Sequence, residues 1–145
     1  MIHECVPEYV LAVLRGLYCD GCVEGLGDEF TFFDPLVRVH TVKGCLRMFK
    51  KLRWLFPNSE ITHLEPLEAI ELSTTRTSTW YLMEITYRRG AVGTGHAMRS
   101  HLLVTTEQGV VIGLEEDWKA PFCIRACSVP LLHGARNLLG RICGL

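Results

Sequence analysis

AMRSHLLVTTEQGVVIGLEEDW, residues 97–118, decides the fold. Two extended, apolar-rich runs, Ala97 to Thr106 and Val110 to Trp118, flank Glu107-Gln108-Gly109, and a short polar segment closing on glycine predicts a β-hairpin. In the second run the period of two puts Leu114, Glu116 and Trp118 on one face. Upstream, Ile61 to Leu72 and Thr77 to Arg88 are two further long strand candidates, and Arg89-Gly90, Gly93 and Gly95 mark the turn before the hairpin. The last half of the chain therefore predicts an antiparallel meander.

Two helices and two short strands precede it. Val6, Val10, Val13, Leu14, Leu17 and Tyr18 recur at helical spacing, with Pro7 suited to a first turn, and Gly25 and Gly27 stop the run. Phe30 to Phe33 is a short strand broken by Asp34-Pro35, because proline cannot donate to a ladder and restricts the residue before it. Leu36 to Thr41 alternates as a second strand. Val42, Cys45, Leu46, Phe49, Leu52 and Phe56 return to helical spacing, and Pro57-Asn58 ends that helix. The order predicts an α+β domain over residues 1–120, with N-terminal helices packed on one face of a curved antiparallel sheet.

Residues 121–145 differ in character. Leu131, Leu132, Ala135, Leu138, Leu139 and Ile142 share one helical stripe, opposite His133, Arg136, Asn137 and Arg141. This predicts a C-terminal amphipathic helix with two readings. It docks on the domain or on a homodimer partner, or it lies on a membrane surface through residues 131–142.

A chain of 145 residues buries roughly two-thirds of its unfolded surface, so it needs no disulfide or metal to fold. Its formal net charge of -1 gives no drive toward nucleic acid, and the short run Lys50-Lys51-Leu52-Arg53 reads as a solvated helix face. No secretory signal pattern opens the sequence and no apolar run is long enough for a membrane span, so a cytoplasmic protein with reduced thiols is expected. Cys19 and Cys22 form a C-x-x-C, and Cys123 and Cys127 a second close pair. The first pair ends an amphipathic helix and has neither a zinc knuckle nor a thioredoxin-like setting. No phosphate loop or nucleophile elbow is present, so no metal and no cofactor are expected.

Several of these features together resemble one family. They are the opening helix, the strand ending Phe32-Phe33-Asp34-Pro35, and the helix led by Val42-Lys43-Gly44. The long strands, the arm Gly109-Val110-Val111-Ile112 and the final Glu116-Asp117-Trp118 complete the set. Over residues 5–120 the chain resembles the nuclear transport factor 2-like superfamily, in particular its SnoaL-like branch. The resemblance implies a cone-shaped sheet wrapped around helices and enclosing an apolar cavity. It also implies a small-molecule-binding pocket protein. Members include steroid isomerases, polyketide cyclases and dehydratases working by acid–base chemistry without a cofactor, and pocket proteins with no known reaction.

By this resemblance Asp34, directly before Pro35, takes the place of a general base, and Phe32 and Phe33 would supply an apolar wall. The alternative is an aspartate that only forms the turn. His101 resembles the strand position of an oxyanion-hole acid and could donate to a developing oxyanion. The helix-one tyrosine of the isomerases would fall near Val10, and Tyr9 points about 100° away from it. The SnoaL-like pattern His-x-Asp-x-Trp is met here by Leu114-Glu115-Glu116-Asp117-Trp118, so the carboxylate and Trp118 are kept and the histidine is not. A buried Glu116 needs a partner, and Arg99 or His101 on the neighbouring strand is expected to supply it. Tyr81 and Tyr87 share a strand face with Met83 and Ile85, as core or as cavity lining, while Trp80 on the other face suggests a covered surface. The catalytic candidates are thus Asp34, His101 and Glu116, and the ligand-binding candidates Tyr81, Tyr87, Arg99, Trp118 and Phe32. The expected ligand is a small apolar or carbonyl-containing molecule, turned over or simply held. A non-catalytic ligand-binding or protein-interaction module remains the rival reading.

Overall fold

The computed structural model of the protein describes residues 1–90 and 95–118. The predicted tail helix, the Cys123/Cys127 pair and Gly93 lie outside the described residues. Eight elements follow the predicted order: α1 (Glu8–Arg15), β1 (Leu26–Phe33), β2 (Arg38–Val39), α2 (Val42–Leu55), β3 (Glu60–Glu71), β4 (Arg76–Tyr87), β5 (His96–Glu107) and β6 (Val110–Asp117). The strands form one curved, unclosed six-stranded sheet in the order β2-β1-β6-β5-β4-β3. All neighbours are antiparallel except β1 and β6, which run parallel. The sheet is therefore mixed, not wholly antiparallel as the meander alone suggested. The local hairpins were legible, but a pairing across some eighty residues has no local signal.

Each element has a local cause. The β5–β6 hairpin closes on Gln108 at φ 49° and Gly109 at φ 78°, the left-handed backbone that a tight hairpin turn requires. Thr41 caps α2, its Oγ1 accepting from Gly44 N at 3.1 Å. Pro66 is tolerated inside β3 because β3 is an edge strand, and the register with β4 shifts between Pro66 and Glu68. The N-terminal residues partly cover that edge: His3 N donates to Leu64 O and Leu64 N donates to Met1 O.

The first helix is not one regular element. After Arg15 it widens into a π-helical turn, Gly16–Asp20, and ends on Gly21 at φ 82°. A Cβ on Gly16 would stand 2.5 Å from Cys22 O, so the chain can double back there only over glycine. Arg53 of α2 reaches over and donates from Nη1 to Leu17 O at 2.5 Å and to Gly16 O at 3.3 Å. Gly16 O also accepts from Gly21 N at 2.8 Å, the i+5 bond of the widened turn.

The core lies between the two helices and the concave face of the sheet. Val10, Val13, Leu14 and Leu17 meet Phe30, Phe32, Phe49, Leu64, Met83, Ile85, Leu102 and Leu114, all essentially inaccessible to solvent. Each such side chain contributes about 2 kcal/mol through burial. Phe49 sits edge-on to both Tyr18 and Phe32, with ring centroids 4.9 Å apart in each pair. No helix among the described residues is long and apolar enough to cross a membrane.

Candidate functional site

A cavity of about 340 Å³ opens where α2 leaves the concave face of the sheet. Its walls are almost entirely apolar. Met48, Phe49, Leu52 and Leu55 come from α2, Phe56 and Tyr87 close one side, and Phe32 and Val37 close the other. Alternation explains the wall on β5. His96 and Met98 line the cavity, and the same inward row continues into the core as Ser100 opposite Met83 and Leu102 opposite Tyr81.

Lys51, His96, Tyr87 and Trp118 add polar atoms to the lining, and three further polar groups, Glu116, Tyr18 and Asp34, complete it. Glu116, only 6% exposed, projects from β6, and its Oε2 accepts a hydrogen bond of 2.8 Å from the Tyr18 hydroxyl. Tyr18 stands on the π-helical turn and its ring lines the cavity. Asp34 stands at the end of β1, half-buried, bordering both the cavity and an outer groove with Trp80, Glu115 and Asp117. Its Oδ1 accepts from Leu36 N at 2.7 Å and Val37 N at 2.5 Å, and its own N donates to Val37 O. The turn-forming role of this aspartate is therefore real, and it also orients the carboxyl.

The electrostatics follow from burial. Desolvation pushes Glu116 up from 4.5 to about 7. The Tyr18 hydroxyl opposes this by donating to the carboxylate, and the negative charge of Asp34 adds to the rise. Ser100 and Trp118 pull weakly the other way. Trp118 Nε1 is itself buried and makes no hydrogen bond among the described residues, so it acts as a nearby dipole. Burial, and then the neighbouring Glu116, raises Tyr18 well above its usual value, and Tyr87 likewise. Both phenols stay protonated at any ordinary pH. The site can thus offer a proton donor to a ligand oxygen in a water-poor setting.

The structure brings together Asp34, Glu116, Phe32, Tyr87 and Trp118. It does not bring in the others. His101 lies between the inward Ser100 and Leu102, opposite Leu82 and Asp117, and so points to the outer face; its buried Nδ1 has no hydrogen-bond partner among the described residues. Arg99 is also outward, its Nε donating to Glu84 Oε2 at 2.9 Å. The partner of Glu116 is consequently Tyr18, not Arg99 or His101. Period two already decides this, because Arg99 and His101 cannot share a face with Ser100. Tyr81 is buried in the core behind the cavity and does not line it.

Sequence reasoning missed Tyr18, His96 and the α2 wall. One signal was available for Tyr18: a phenol at the end of a buried apolar stripe needs a hydrogen-bond partner, as a buried glutamate does. Cys19 and Cys22 are free thiols, and no group of three metal-ligating side chains occurs among the described residues.

No protein-family model and no curated protein matches the chain. Solved structures do. A domain of unknown function with a cystatin-like fold from Nostoc punctiforme superposes with a TM-score of 0.62 at 8% identity, over 93% of this chain and 92% of that one. A candidate polyketide cyclase from Xanthomonas campestris gives 0.56 at 10% identity, over 77% and 88%. A hypothetical protein with a ketosteroid isomerase-like fold from Catenulispora acidiphila, in complex with trimethylamine, gives 0.52 at 12% identity, over 77% and 85%. At such identities the likeness is one of fold alone.

Proposed function

We propose that this chain, which has the nuclear transport factor 2-like α+β fold, takes a small apolar carbonyl compound into the cavity and shifts a proton on it, as a cofactor-free isomerase, cyclase or dehydratase would. The observation that carries this reading is the buried Tyr18–Glu116 pair in the wall of an apolar cavity that Asp34 also borders. A carbonyl oxygen placed at that pair receives a hydrogen bond from the neutral acid. Asp34 takes the proton from the adjacent carbon, the C–H electron pair becomes the C=C bond, and the carbonyl π electrons move to oxygen. Returning the proton to a different carbon completes an isomerisation.

The state of Glu116 gates the donor. When Glu116 is ionised, the Tyr18 proton is committed to it. When Glu116 is neutral, the pair has one more O–H to give. Activity therefore falls as pH rises through about 7. Trp118 Nε1, buried and without a partner among the described residues, is a second donor within the same lining.

The test is deuterium exchange. A panel of flat apolar ketones is incubated with the protein in heavy water, and loss of the proton signal next to the carbonyl is followed by NMR. The expected outcome is exchange by the wild type and a loss of about 100-fold or more in Asp34→Asn. Asparagine keeps an Oδ1 for the Leu36 and Val37 N–H groups, so the melting temperature should barely move. Exchange that survives Asp34→Asn ends the base assignment.

A second reading is a non-catalytic binding module. The two backbone hydrogen bonds on Asp34 Oδ1, the outward His101 and the leucine at position 114 favour it. Saturable ketone binding with no exchange identifies this case.

A further inference from the structure

The run Lys50-Lys51-Leu52-Arg53 hides a division that only the folded helix reveals. Arg53 turns inward and binds the carbonyls of Gly16 and Leu17. Lys43, Arg47, Lys50 and Trp54 stand at i, i+4, i+7 and i+11, which places them within an arc of about 60° on α2. All four are exposed, Trp54 at 79% and thus almost wholly outside the fold. Leu46, 37% exposed, flanks the same row. The helix VKGCLRMFKKLRWL contains no acidic residue, and none of the three cations forms an ion pair with any described residue. A surface helix normally intersperses both signs of charge. This one pairs a single-sign row with the bulkiest apolar side chain at its end.

We propose that this face of α2 docks on an anionic lipid bilayer. Charge complementarity selects the partner, since three unpaired cations in a row suit a plane of lipid phosphates. Trp54 and Leu46 select a bilayer over other polyanions. Tryptophan settles at the headgroup level with its ring against the acyl boundary, and the leucine beside it adds apolar area on the same side. Single-stranded nucleic acid would call for a groove with several aromatic platforms, and this face is convex with one indole. The helix lies flat on the surface in this arrangement, because its opposite side, Cys45, Met48 and Phe49, is fixed in the core. The proposal does not depend on the chemistry assigned to the cavity.

Flotation of the full chain with vesicles tests it, comparing phosphatidylcholine mixed with phosphatidylglycerol against phosphatidylcholine alone. Binding is expected only to the anionic vesicles and is expected to weaken as salt is raised. Reversing the row with Lys43→Glu, Arg47→Glu and Lys50→Glu should lower partitioning by about 100-fold or more. Trp54→Ala, which leaves the charges in place, should lower it about tenfold. Residues 119–145 are unchanged in both variants, so a loss reports on α2. The proposal is overturned if the wild type ignores anionic vesicles or if both variants bind as well as it does. It is equally overturned if a single-stranded oligonucleotide binds more tightly than the vesicles.

Discussion

Two glutamates on one sheet show how environment, not residue type, sets chemistry. Glu84 on β4 and Glu116 on β6 stand on opposite faces, each with a donor within hydrogen-bonding reach. Glu84 is held below the usual carboxylate range, first by the hydrogen bond from Arg99 and then by that from Thr62. Glu116 is pushed up to about 7 because burial outweighs what the neutral Tyr18 can return. A cationic partner at the rim keeps a carboxylate charged. A phenol in a water-poor wall lets it become an acid. The outer pair is a surface ion pair with Arg99 75% exposed, and the inner one is a proton-holding group beside a cavity.

The largest break in this comparison comes from Tyr18→Ala. It empties the space against Phe49 and removes the donor to a buried carboxyl, so it should cost about 3–5 kcal/mol in urea unfolding. Glu116→Gln comes next and sharpens the contrast through pH. In the native state Glu116 holds its proton up to about 7, whereas the ordinary value is 4.5. Between those values the native state binds a proton that the unfolded chain has lost. Stability therefore falls as pH rises across that window, and the penalty of about 3 kcal/mol is complete above it. The variant should match the wild type near pH 4, exceed it by up to about 3 kcal/mol near pH 8, and lack that part of the slope. Arg99→Ala is the smallest effect, at most about 1 kcal/mol and reduced by salt, because the pair it breaks is largely solvated.

The fold was largely legible because its signals are local. The hairpin at Gln108-Gly109, the proline after Asp34 and the helical rows of Val10, Leu14 and Leu17 are each decided within a few residues. The parallel contact of β1 with β6 depends on the whole chain and left no such mark. The site was legible in part for the same reason. Glu116 and Trp118 share a face by alternation within one strand, and Asp34 entered through the resemblance, which its proline helps to carry. Tyr18 enters the sequence pattern only as the last member of an apolar helical row. Nothing in the sequence announces the π-helical turn on which it stands, where Gly16 lies close against Cys22 O and Arg53 binds the carbonyls of Gly16 and Leu17. His101 rested on the resemblance alone, and alternation along β5 puts it on the face opposite Ser100 and Leu102.

Burial beside Tyr18 lets the Glu116 carboxyl hold its proton up to a pH of about 7. Its direct measurement is a carbon NMR titration of the glutamate side-chain carboxyls, with the Glu116 resonance assigned by its loss in Glu116→Gln. A midpoint near 7 is predicted. A midpoint at the ordinary 4.5 would show a solvated carboxylate and contradict the account.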